Sequence, residues 1–185
     1  MIRWLLWLLG GALMGGIVHL GVVLTLPRVA TQDAYSRLEP MTPVNAVTPL
    51  PAPSPGKAIM PFMDPAFAAA VCRYDLADGP LKLRVPISQA YTSVSFYTRY
   101  GLSYYAINDR AAGRQVIELE LMTAEQRRVQ PDDEEVTAAD KLIVESPTPT
   151  GLIVMRALVP EPGLAVASAK ALAEARCEQQ PASGG

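Results

Sequence analysis

Histidine is nearly missing from this sequence. The 185 residues hold one, His19, inside an apolar run. The rest of the chain therefore cannot build a Ser-His-Asp or Cys-His arrangement, nor a zinc site with imidazole ligands. Cysteine is almost as scarce, and two residues, Cys72 and Cys177, cannot by themselves supply a four-ligand metal site. An excess of basic charge is also lacking. Sixteen Lys and Arg stand against eighteen Asp and Glu, a formal net charge of −2. That leaves no surplus to neutralise phosphates and argues against a nucleic-acid partner. Neither GxGxxG nor GxxxxGK[ST] occurs, so no glycine-rich phosphate loop is offered. From these absences no catalytic residue, no metal and no cofactor is assigned.

What is present begins with a long apolar run. Residues 4–26 carry no formal charge over 23 positions. As a helix this run would extend ~34 Å, enough to cross a ~30 Å hydrocarbon core. A cleaved signal peptide has a shorter apolar region, about 7–15 residues, and an A-x-A-like site. Here the run closes with Leu26-Pro27-Arg28, so an uncleaved signal anchor is expected. Trp4 and Trp7 suit a membrane interface, and Arg3 and Arg28 bracket the span. Charge counting barely orients it, with Arg3 and the amino group on one side and Arg28 and Arg37 on the other. The cysteines favour a side: an even pair in an exported domain reads as a disulfide, Cys72 to Cys177, and places the domain outside the cytoplasm. The alternative is two buried free thiols.

Gly11, Gly15 and His19 lie four apart on one stripe of the run, with Gly16 adjacent. Small residues at this spacing admit a second helix, and an ionisable residue in a span faces protein or water. The stripe is read as a helix–helix contact with another membrane protein. Axial ligation of a tetrapyrrole by His19 is the competing use, which would make the chain a small subunit of a redox or pigment complex.

Four zones follow from composition: a transmembrane anchor at 1–27, a juxtamembrane segment and Pro-rich linker at 28–61, a β-rich domain at 62–178 and a disordered tail at 179–185. Residues 39–61 hold seven of the 17 prolines. Each proline removes a donor and fixes φ, so this stretch is expected to be a polyproline-like spacer, or a strap across the domain surface. Within the domain, Asp64-Pro65 predicts a short helical turn over 65–70. Strands are expected at 71–76, 80–87, 93–99, 102–108, 115–122, 141–146 and 151–159. Tyr100-Gly101 marks one hairpin, and the last two strands are expected to form a second. Thr123 and Gln126 have capping-box spacing and predict a short helix. Residues 162–177 read as a helix with an inner stripe of Leu164, Ser168, Ala171, Leu172 and Ala175. The fold expected is mainly β (α+β): an N-terminal transmembrane helix, then a small antiparallel β-sandwich or half-barrel closed by a C-terminal helix.

Carboxylates supply the remaining chemistry. Glu118 and Glu120 share a strand face, and a glycan-active hydrolase or lyase would need two such groups about 5–10 Å apart. An exposed strand face is the simpler reading. Asp132, Asp133, Glu134 and Glu135 match no calcium-loop spacing and read as a solvated loop. Five of the seven tyrosines fall at 91, 97, 100, 104 and 105, with Phe96 between them. On a hairpin, Tyr97 with Tyr105 would share one face, and Phe96 with Tyr104 the other. One face must pack, and the other would present rings to a ligand. Tyr97, Tyr100, Tyr104, Tyr105, Asn108, Asp109 and Arg110 are the candidate binding residues.

GGIVHLGVVLTLPRVATQDAYSRL, PFMDPAF, the CRYDL strand, SFYTRYGLSYYAINDR and the late Cys177 together resemble bacterial membrane proteins catalogued as domain of unknown function 1254. The resemblance implies an inner-membrane protein with a mostly β domain in the periplasm. Larger relatives continue into a second β-rich domain, and this chain looks like the short, anchored form. It carries over no catalytic residue. It marks Arg28, Asp33, Tyr35, Asp64, Cys72, Asn108, Asp109 and Arg110 as motif positions. The function expected is that of a single-pass, non-enzymatic binding or accessory module, with the lipid bilayer and another membrane protein as partners.

Overall fold

The protein is described by a computed structural model covering residues 1–29, 33–54, 56, 58–61, 63–113, 115–129 and 142–180. It divides into two units, Met1–Asp33 and Ala34–Gly185. The first is built on helix α1, Ile2–Val29. Its residues Ile2–Leu26 form one helix long and apolar enough to cross a membrane. These 25 residues span ~37 Å at the α-helical rise.

The second unit is a mixed α+β fold with two sheets. Its helices are α2 (Ala34–Leu38), α3 (Asp109–Ala112), α4 (Ala124–Val129) and α5 (Ala165–Ala173). Its strands are β1 (Val47–Leu50), β2 (Phe67–Asp75), β3 (Leu81–Pro86), β4 (Thr92–Thr98), β5 (Ser103–Asn108), β6 (Val116–Thr123), β7 (Leu142–Ser146), β8 (Thr150–Leu158) and β9 (Arg176–Gln179). One sheet runs β1-β2-β8-β4-β5 and the other β7-β6-β3-β9. Among the described strands, each pairing is antiparallel except β6 with β7, and the isolated bridge of Val44 with Arg73 is also parallel.

Alternation decides which faces meet. In β3, Leu81, Leu83 and Val85 are buried while Lys82 and Arg84 are exposed. In β6, Ile117, Leu119 and Leu121 are buried beside them. These side chains join Cys72 and Tyr74 of β2, Val94 and Phe96 of β4, and Ile153 and Met155 of β8 in one core. Leu172 of α5 and Ala175 beyond it complete that cluster, and Ser168 donates to the Leu158 carbonyl at 3.0 Å. The disulfide Cys72–Cys177 ties β2 of the first sheet to β9 of the second. The capping box forms as expected: the Gln126 N–H donates to Thr123 Oγ1 at 3.2 Å, and the Thr123 N–H to Gln126 Oε1 at 2.9 Å.

A second apolar cluster lies on the opposite face of the five-stranded sheet. Leu38, Leu50, Val71 and Leu152 are its buried members, with Tyr35, Met60, Met63 and Tyr97 packed on them. Tyr35, Leu38, Leu50, Ile59, Met60 and Met63 thus lay a strap across the domain, within the compact unit Ala34–Gly185. Pro49 is tolerated inside β1 because β1 is an edge strand with one partner.

Other expectations are corrected. The turn predicted at 65–70 is mostly strand. Asp64 accepts from the Ala66 N–H at 2.9 Å, but β2 starts at Phe67. The run FAAAVC feeds a nine-residue strand whose pairing with β8 outweighs a weak local turn. The second hairpin does not form: β7 belongs to the four-stranded sheet and β8 to the five-stranded one. The last helix stops at Ala173, so Cys177 lies on β9, where pairing with Leu83 brings it towards Cys72. Residue 179 is also in that strand. The acidic loop at Asp132–Glu135 and tail residues 181–185 lie outside the described residues.

Candidate functional site

β4, β5 and β8 run side by side, and their outer face is not covered by the strap along its whole length. In the register, Ser93 stands opposite Arg156 of β8 on one side and opposite Asn108 of β5 on the other. Directly opposed residues on neighbouring strands share a face, with strands about 4.8 Å apart. Arg156, Ser93 and Asn108 thus form a row across three strands. Ser95 stands one row along, between Val154 and Ala106.

An open cleft of about 370 Å³ lies over this row. Phe67, at the start of β2, and the half-open ring of Tyr91 contribute aromatic walls. Among the described residues, Arg156 is exposed without an ion pair and no acidic side chain lines the cleft. Asn108 is held in place because it also caps α3, its Oδ1 accepting the Ala111 N–H at 2.9 Å. Its side-chain NH₂ is left as the polar group for the cleft.

The tyrosines do not form one surface. The register pairs Phe96 with Tyr105, then shifts by a bulge, so Tyr97 faces Ser103. Phe96 consequently touches both Tyr104 and Tyr105, at ring-centroid distances of 6.2 and 5.8 Å. Both tyrosines pack on the main core, whereas Tyr97 packs on the second cluster across the sheet. Tyr97 and Tyr105 do not share a face because the register sets Tyr105 opposite Phe96, and the bulge at Tyr104 turns that ring to the Phe96 side as well. Tyr100 alone is well exposed, at the hairpin tip.

Inside, Tyr74 is a hub. Its hydroxyl lies 2.9 Å from Ser146 Oγ and 3.1 Å from the Tyr104 hydroxyl. Burial, with the neighbouring Tyr74, pushes the Tyr104 phenol well above its ordinary range, so it stays neutral. This is a hydrogen-bond network packed within the core.

The remaining candidates are dispersed. Of the NDR motif, Asn108 reaches the cleft; Asp109 and Arg110 sit on α3 outside its lining. Glu118 is exposed and paired with Lys82 at 2.9 Å, while Glu120 is buried. Gly11, Gly15 and His19 lie on exposed surface of α1, and nothing approaches a Cβ position at either glycine. Arg73, Arg99 and Tyr35 form a further group, with the guanidinium carbons 5.2 and 4.2 Å from the ring centroid. Among the described residues, no three His, Cys, Asp or Glu side chains gather into a metal-binding group.

Sequence reasoning missed Arg156, Ser93, Ser95 and Phe67. The signal for the serines was their alternation with Val94 and Phe96. For Arg156 it was a lone charge within GLIVMRALV, but only strand order shows that these residues are neighbours.

The solved structures that match include the following two. A protein from Vibrio parahaemolyticus shares the fold, at 14% identity with a TM-score of 0.58, the match covering 78% of this chain and 32% of that one. An uncharacterized protein from Burkholderia cenocepacia is 14% identical with a TM-score of 0.49, over 78% of this chain and 36% of that one. The chain thus spans about a third of the length of these structures. No curated protein matches the sequence. Residues 44–179 match the family described as Protein of unknown function (DUF1254), and because that match takes in most of the chain, the protein belongs to this family.

Proposed function

We propose that this protein is a single-pass, membrane-anchored module that binds a small polar ligand outside the cytoplasm, without catalysing a reaction. The cleft beside Arg156 carries this reading. It sets one cation and several hydrogen-bonding groups on a rigid sheet, with two aromatic walls. The length and apolarity of α1 support the anchor. The disulfide supports an oxidising compartment, which in a bacterium with two membranes is the periplasm, with α1 in the inner membrane. The Gly11, Gly15 and His19 stripe supplies a surface for a partner helix within the bilayer. The one histidine lies on α1, and Glu118 is engaged by Lys82, so no paired-carboxylate hydrolysis is supported.

Protease added to intact spheroplasts tests the placement. It should digest residues 34–180 and leave an α1 fragment in the membrane pellet. A domain that is protected until the cells are lysed would reverse it. Mild-detergent purification with mass spectrometry should recover a membrane partner that Gly11→Leu with Gly15→Leu releases.

A further inference from the structure

We infer that the ligand of this cleft is a small sugar bearing a single carboxylate. The inference rests on the cleft being the binding site. It follows from the polarity of the groups in the row. Arg156 is donor only, and its planar fork matches a carboxylate with two parallel hydrogen bonds. Asn108 uses one Oδ1 lone pair on the Ala111 N–H, and its amide NH₂ has two donors to offer. Ser93 and Ser95 add hydroxyls, which can donate to or accept from a sugar hydroxyl.

The walls favour acceptor-rich ligands too, since among the described residues no acidic side chain lines the cleft to offer a cationic ligand a counter-charge. One guanidinium suits a monoanion, whereas a phosphate dianion calls for further cations. Phe67 and Tyr91 present ring surface to the C–H face of a pyranose. The volume, about 370 Å³, lies at the small end of the ~300–1,000 Å³ found for ligand sites, which suits one or two sugar rings and not a polymer.

The test uses the full chain in detergent micelles, titrated separately with D-glucuronate, D-glucose and inorganic phosphate. Backbone amide signals of Ser93, Ser95 and Asn108 report occupancy by NMR. Glucuronate should shift them and bind about tenfold more tightly than glucose, with phosphate weaker than glucuronate. Arg156→Gln should abolish that preference while the thermal midpoint stays put, because Arg156 has no ion pair to lose among the described residues. Equal binding of glucuronate and glucose, a preference that survives Arg156→Gln, or tighter binding of phosphate would overturn the carboxylate assignment and leave the cleft as a site. If none of the three probes moves these amides, the cleft reading falls with it.

Discussion

Gly151 shows how a single atom constrains the interior. It opens the β8 run opposite Tyr74 and Thr98. A Cβ placed there would collide with the Tyr74 hydroxyl and with the backbone carbonyl oxygen of Tyr97. The carbonyl belongs to a paired strand and cannot swing away, and the hydroxyl is tied to Ser146 and Tyr104. Gly151→Ala should therefore destabilise the domain by about 1–3 kcal/mol, the usual scale for overpacking. Gly163→Ala is the control, since nothing lies within 4 Å of a Cβ there. Urea denaturation of both variants checks this: a fall in midpoint at 151 with none at 163 is expected. The residue row at the cleft obeys the same logic in reverse. Ser93 is small enough to leave Arg156 and Asn108 uncovered on either side.

At the scale of elements, the strap is held at one end by α2 and further along by the pairing of β1 with β2. Tyr35 of α2 lies between the guanidinium groups of Arg99 and Arg73, and Glu39 pairs with Arg73 at 3.0 Å. Each cation–π contact contributes about 0.5–2 kcal/mol. Leu38 and Leu50 then bury against Val71 and Leu152. Tyr35→Ala should loosen α2 and the turn after it while the two sheets stay folded, and Tyr35→Phe should behave as the native protein. Limited proteolysis checks this: cleavage within 34–46 should accelerate in the alanine variant, with slow hydrogen exchange in β2, β4 and β8 unchanged. Proline content announced that this stretch is neither helix nor central strand. It did not announce where the stretch lies, because prolines exclude conformations without specifying contacts.

For the whole molecule, the two sheets are joined by a core and by one covalent link. Cys72 and Cys177 are 105 positions apart and almost fully buried. On the chain-entropy account such a loop contributes about 4–5 kcal/mol at most. Replacing both by alanine should lower the urea midpoint by a corresponding amount without changing the native fold. Because the bridge is buried, a mild reductant should cleave it in the native protein only as fast as the domain opens. Following thiol release in parallel with unfolding checks that dependence.

Sequence alone determined the features that depend on neighbours along the chain. These include the long apolar helix, the inward faces of β3 and β6, the β4–β5 turn at Tyr100-Gly101 and the Thr123–Gln126 cap. Each rests on a local period, a charge-free length or a side chain reaching a backbone group three residues away. The cysteine count also told which pairing was available. Tertiary structure decided that β7 pairs in parallel with β6 instead of with β8, that Tyr35, Leu38 and Leu50 fold back onto the sheet, and that Arg156, Ser93 and Asn108 become neighbours. The physical reason is that backbone donors and acceptors are the same in every strand. Periodicity says which face of a strand is apolar, but the choice of partner is made by how all the apolar faces can be buried together.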